Sequence, residues 1–444
     1  MKPSAVTRIA LLAASGLVIA STVEAQTRTL ALTLDEAIAR GLANSMRIAE
    51  LQARQEAAAA VEDRRGADQL PVTSLLGGYT RTNHVEQFVL AQIGQGIRVL
   101  YPDVPDNYYA RLDLQWPIYT GGRADALERA ARAEREASGE DLTAARADLR
   151  LEITRAFWAL ITAREAAAVL GRSLSGTDAH VRDLRNRLDQ GLIPPNEVLT
   201  ADAQLARERL LSIDADTASA VAEADLQRLL GLDAGETIEP KAAFEVPPAQ
   251  QQSLEGLFES AKTGRPERRA LADRAAAADA RVEAAAAGAR PQVSLGGGYD
   301  YARPNPRIFP RADEWEDSWD ISVNVSWAFW DSGRTRADRA EAAANAHAVK
   351  ARLTDLDRQI AFEVRQRRLE LDSSLAAIPV ANAVVRAAVE ARRVLGERFN
   401  AGVATSTDVL DAQTDVLQAE LQLTRALANV HLAEARLERA IGGR

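Results

Sequence analysis

The chain is written twice, and any fold it adopts must be built from two copies of one unit. Leu34-Asp-Glu-Ala returns as Leu254-Glu-Gly-Leu, and Leu76-Gly-Gly-Tyr79 as Gly296-Gly-Gly-Tyr299, an offset of 254 − 34 = 299 − 79 = 220. Further on, Trp116 pairs with Trp327, Gly191 with Gly402, and Leu230-Gly231 with Ile441-Gly442, an offset of 327 − 116 = 402 − 191 = 211. The extra 220 − 211 = 9 residues of the first copy fall between Tyr79 and Trp116, where a variable loop is expected. Repeats of residues 26–232 and 254–444 are therefore expected, joined by a proline-bearing linker over 233–253.

Each copy is predicted to hold one very long helix and two shorter arms. Arg123 to Gln190 and Arg334 to Ala401 would each span roughly 100 Å as uninterrupted helix. Arms over Leu34–Gly66, Val198–Leu230, Leu254–Ala289 and Val409–Ile441 are each about half as long, so two end to end match one long helix. Bends or a change of packing partner are expected at Pro379 and in the Gly171 to Gly176 region. In the last arm Val409, Val416, Leu423, Val430 and Leu437 recur every seventh position with Ala412, Ala419, Ala426, Ala433 and Ala440 between them, a coiled-coil seam narrow enough for close axes. The first copy keeps Val198, Leu205 and Leu226 but interposes Ser212 and Ser219.

Between the helices lie strand signals. Trp319, Ile321, Val323, Val325, Trp327 and Phe329 alternate with mostly polar neighbours, and Gln292 to Tyr301 supplies a hairpin partner. Pro71–Thr82 and the row Leu112, Leu114, Trp116 and Ile118 are the first-copy counterparts. One such strand alone suggests half of a soluble sheet, but aromatics at both ends of the apolar row resemble the girdles of membrane barrels. Four strands cannot close, so a barrel would have to be shared between chains; strand counting alone permits a dimer, trimer or tetramer.

Composition removes alternatives. No cysteine is present, which excludes disulfides, thiolate sites and a lipid anchor on an N-terminal cysteine. The four histidines, His84, His180, His347 and His431, show no metal-ligand spacing, so no metal, other cofactor or acid–base centre is expected and an enzyme is not indicated. A net charge of −9 argues against nucleic acid. Residues 1–25, with Lys2 and Arg8 before an apolar run and Val23-Glu-Ala25 after it, suggest an export signal. No later stretch is expected to form a spanning helix, which leaves a soluble exported protein or one that crosses a membrane as strands.

Trp116-Pro-Ile-Tyr-Thr-Gly-Gly-Arg123, Trp327-Ala-Phe-Trp-Asp-Ser-Gly-Arg334, and the far turns Arg187–Val198 and Arg398–Val409 make the chain resemble the TolC-type outer-membrane efflux channels over nearly its whole exported length. The resemblance implies a mainly α fold with a transmembrane β-barrel: a homotrimer with a shared 12-stranded barrel, four strands per chain, above a coiled-coil tunnel through the periplasm. It also implies docking onto a periplasmic adaptor and an inner-membrane pump, and export of small molecules. Type I protein secretion is the alternative within that class, and a pore-less periplasmic adaptor the alternative outside it.

Several positions acquire expected roles. Gly122 and Gly333 would turn strand into helix, with Arg123 and Arg334 beside lipid headgroups or solvent. Helix-ending Gly191 and Gly402, with Asn196-Glu197 and Thr407-Asp408 as starts of the return arms, put both turns at one end of the molecule. By resemblance Gly191, Leu192, Gly402 and Val403 would meet the adaptor. Asp408 and Asp411 would ring the periplasmic aperture, attract cations and raise one another's carboxyl pKa values by repulsion. The family's tyrosine and arginine latch is replaced by Phe399 and Ala404. Odd-numbered side chains from Trp319 to Phe329 would touch lipid.

Overall fold

The computed structural model describes residues 28–92, 96–233, 235–242 and 252–443. The expected export signal lies outside them. In chain order the elements are β1 (Arg28–Leu32), α1 (Leu34–Asn44), α2 (Met46–Ala67), β2 (Val72–Arg81), β3 (Phe88–Gln92), β4 (Gly96–Tyr101), β5 (Asp106–Tyr119), α3 (Arg123–Asp189), α4 (Pro195–Leu230), β6 (Glu236–Pro240), α5 (Leu254–Gly264), α6 (Pro266–Ala286), β7 (Gln292–Arg303), β8 (Glu316–Ser326), α7 (Arg334–Asn400) and α8 (Ser406–Ala440).

Long helices follow from long helix-compatible sequence with terminal glycines. α3 and α7 each run 67 residues, about 100 Å by helical rise. Neither Gly171 nor Gly176 interrupts α3, and Pro379 stands inside an unbroken α7. The breaks lie in the arms instead. Ser45 is both the last cap of α1 and the N-cap of α2, and Arg265-Pro266 separates α5 from α6, where proline suits a first helical turn. α8 starts at Ser406, earlier than Thr407-Asp408 suggests, because Thr405 supplies the cap. One 18-residue window of α7 reaches a mean hydropathy of 1.3, long and apolar enough to cross a membrane by composition alone, contrary to expectation. α7 instead packs along α6 and α8.

Neighbour relations order the walls. Towards the strands the helices stand α2, α3, α6, α7, and beyond the breaks α4, α3, α8, α7. Alanines carry the first set: Ala130 and Ala133 of α3 meet Ala277 and Ala280 of α6, small side chains that permit close axes. The α8 seam is realised at Val409, Ala412, Val416, Ala419, Val430, Ala433, Leu437 and Ala440, all buried. Midway it passes to Thr424 and Ala428 while Leu423 and Ala426 are half-buried, as a 3.6-residue helix drifts from a seven-residue repeat. In the first copy Ser212 and Ser219 are half-buried, and Leu210, Leu211, Ile213 and Val221 of α4 face outward.

The expected linker is partly a strand. Glu236–Pro240 pairs in parallel with Arg28–Leu32, and Ile238 joins a core with Ile38, Ile153, Phe157 and Leu230. Leu257, Val364, Val430 and Leu437 make the corresponding core of the second copy. Between them Arg439, largely buried, bonds to Asp148 at 2.7 Å and to Glu267. Burial pushes the Glu267 carboxyl up, but the hydrogen bond and charge of Arg439 outweigh it and hold the group below its ordinary value.

Candidate functional site

Four strands form one antiparallel sheet in the order β2-β5-β7-β8. Its pairing runs Val72↔Gln115 through β2–β5, Leu112↔Tyr299 through β5–β7 and Tyr299↔Trp319 through β7–β8. Since directly paired residues share a face, one side carries Leu75, Leu112, Leu114, Tyr299, Trp319, Ile321, Val323 and Val325. The opposite side carries Ser74, Arg111, Asp113, Gln115, Asp300, Asp320, Ser322 and Asn324. On β8 the apolar side chains are outermost: Trp319 is 69% exposed and Ile321 71%. Such a large apolar surface on a well-ordered sheet marks contact with something other than water.

β8 is shorter than its alternation suggests. It ends at Ser326, so Trp327 and Phe329 lie beyond the strand, though both stay exposed. Just past the strand, Trp327 Nε1 donates to the Ala289 carbonyl at 3.1 Å, tying this segment to the close of the preceding helix. Trp116 Nε1 donates to Gln69 O at 3.2 Å in the same way, and 289 − 69 = 220 repeats the internal offset. At the other end Tyr79 and Tyr108 lie 5.0 Å apart, and Trp315 packs at 6.0 Å from Tyr108 and 5.0 Å from Tyr301. These rings border the apolar face at both ends; sequence spacing reveals the tryptophans but not Trp315, which enters from a loop. The nine additional residues of the first copy belong to a loop that contains the β3–β4 hairpin.

Gly122 and Gly333 take φ of 84° and 87°, a left-handed turn that reverses strand into helix with little steric cost to glycine. Arg123 and Arg334 are the exposed first residues of α3 and α7.

About 100 Å away, both helical hairpins end in matching turns at Gly191 and Gly402, φ 71° and 76°. Leu192 and Val403 are exposed at 67% and 63%. Beneath them Val181, Leu184, Val198, Leu205, Phe399, Val409 and Leu410 make one core shared by both copies. The Arg187 guanidinium lies 4.5 Å over the Phe399 ring and donates to Asn400 Oδ1 at 3.0 Å, while His180 bonds Ser406 Oγ at 3.1 Å. Phe399 thus joins a contact between the two hairpins even though it has no hydroxyl.

Asp408 and Asp411 are both exposed on the first turns of α8. Within one chain the Asp408 carboxylate is held by its own helix cap. It accepts from Thr405 N at 2.8 Å and Thr405 Oγ1 at 2.7 Å, closing a capping box. Those bonds hold its carboxyl below the ordinary 3.8. The first copy has Pro194 at the capping position, and Glu197 and Thr200 where the aspartates stand.

Among the described residues no cluster of His, Asp or Glu could hold a metal ion. The family described as "Outer membrane efflux protein" matches residues 37–232 and 257–443, one segment per repeat. Protein CyaE of Bordetella pertussis is 27% identical over 72% of this chain and 69% of its own length. Outer membrane protein TolC of Vibrio cholerae is 23% identical over 77% and 78%. Among solved structures, the outer membrane protein VceC of Vibrio cholerae superposes with a TM-score of 0.77 at 22% identity, covering 92% of this chain and 96% of that one. CusC superposes with a TM-score of 0.80 at 16% identity, covering 93% and 92%. With both repeats matched and the whole architecture shared, this chain is a member of the outer membrane efflux protein family, a channel-type protein of the outer membrane that extends into the periplasm.

Proposed function

We propose that three copies of this chain close into a conduit through which small molecules leave the cell, their shared barrel in the outer membrane and their helices forming a tunnel to its periplasmic mouth. The observation that carries this reading is the sheet with unlike faces and two unpaired edges. β2 and β8 present free backbone groups, which lipid cannot satisfy, and strands of a neighbouring copy can. The helical layers end on opposite sides: α2, which leads into β2, and α4 on one, and α7, which follows β8, on the other. Head-to-tail contact therefore joins β8 and α7 of one copy to β2, α2 and α4 of the next, and a rotation that closes gives a ring. Three chains supply twelve strands.

The exposed turns at Gly191, Leu192, Gly402 and Val403 suit a periplasmic adaptor that links the tunnel to an inner-membrane pump, with Asp408 and Asp411 around the opening. Small-molecule export rests on the efflux family; protein secretion is the other cargo such a conduit could carry. The apolar face of the sheet disfavours a pore-less adaptor.

The native absence of cysteine permits a direct test. Single cysteines at Ile321, Val323 and Val325 should resist water-soluble thiol reagents in outer-membrane vesicles, while those at Ser322 and Asn324 react. Equal labelling of both sets would refute the barrel.

A further inference from the structure

We infer that the bore of the barrel carries its own charge filter, separate from the aspartates at the mouth, in which Arg111 offsets three carboxylates and so limits how strongly the pore favours cations. This rests on the ring of chains proposed above. Arg111 and Asp113 are successive side chains on the polar face of β5, and the register places Asp300 opposite Arg111, Gly298 opposite Asp113 and Asp320 opposite Gly298. All four charges thus lie on the face turned away from Leu112, Tyr299 and Ile321.

The contacts are specific. Arg111 Nε donates to Asp113 at 2.8 Å, Nη1 bonds Asp300, and Nη2 approaches Asp320 at 3.4 Å. To span β5, β7 and β8 the guanidinium must lie flat across β7, and the glycine there permits it: a Cβ on Gly298 would collide with Arg111 Nη2. A second cation, Arg307 from the loop joining β7 to β8, reaches Asp320 at 3.0 Å. These side chains remain partly accessible, 29% for Arg111 and 28% for Asp320, so ions in the bore would meet them through little intervening protein.

Two guanidiniums against three carboxylates leave a net −1 per chain, and a ring of like sites sets a potential across a narrow, low-dielectric passage. Removing Arg111 would deepen that potential; removing a carboxylate would cancel it. A purely structural role, pinning three strands together, predicts weaker assembly but unchanged ion preference.

The test is the reversal potential of purified channels in planar bilayers under a KCl gradient, with R111Q, D300N and R111K compared against the parent protein. The inference expects R111Q to raise the K⁺ to Cl⁻ permeability ratio by about twofold or more, D300N to lower it, and R111K to leave it near the parent value, with all differences shrinking in molar salt. Channels of R111Q with the parent ratio would overturn it. Should R111Q fail to assemble, D300N, whose amide oxygen can still accept from Arg111, decides by the same criterion. Failure of the parent protein to form any channel would instead refute the proposed function.

Discussion

Asp408 shows how a residue can serve two ends at once. Its carboxylate caps α8 through Thr405, and in the proposed ring its exposed side chain would also face whatever passes the mouth. Because its folded pKa is depressed, the charge and the cap it makes are present above 3.8 and are lost as the pH falls through the lowered value. D408N/D411N channels should lose most of their cation preference at neutral pH, and Asp408 in the parent channel should keep more of its charge at pH 3.8 than an ordinary aspartate does. Reversal potentials at both pH values check this, and retained selectivity in the double variant would remove these residues from the aperture. The capping bond was not legible in the carboxylate spacing, since Asp408 and Asp411 three apart fit both a capped helix start and an acidic ring. Thr405 is what marks the capped start, and it precedes the Thr407–Asp411 segment that carries the family resemblance.

At the scale of elements, the duplication and alternation together disclosed most of the architecture. Equal offsets mark the two hairpins, and the alternation along β8 separates its two faces. What escaped were the parallel β1–β6 pair, whose strands lie about two hundred residues apart, and the breaks at Ser45 and Arg265, which only a single capping serine and an Arg-Pro step mark. The hairpin tips are the elements on which the proposed partner contact turns. Nothing lies within 4 Å of a Cβ placed on Gly191 or Gly402, so substitution there is opposed by backbone geometry alone. Gly402→Val should cost about 1–2 kcal/mol locally, reshaping the tip while the distant barrel assembles. We expect drug-efflux complementation to fall to the level of a null strain with a heat-modifiable trimer still in the outer membrane; undiminished efflux would exclude the tip from partner contact.

For the whole molecule, the uneven burial of its helices is the guide. α3 is buried along its length between neighbours, whereas α7 leaves Val380, Val384 and Val394 exposed on one rim and α4 leaves Leu210, Ile213 and Val221 on the other. These rims are apolar because a second copy covers them in the proposed ring, and charge introduced there should block closure. V380E/V384E is expected to yield a folded chain that sediments below the parent assembly in detergent, and a parent-sized species would argue against this contact. A rim spoiled on one side leaves the other intact. Such a chain would still accept an unaltered neighbour and then terminate the circle, so a modest amount of it, synthesised alongside the normal protein, should sequester healthy copies in dead-end fragments and sensitise the cell out of proportion to its abundance.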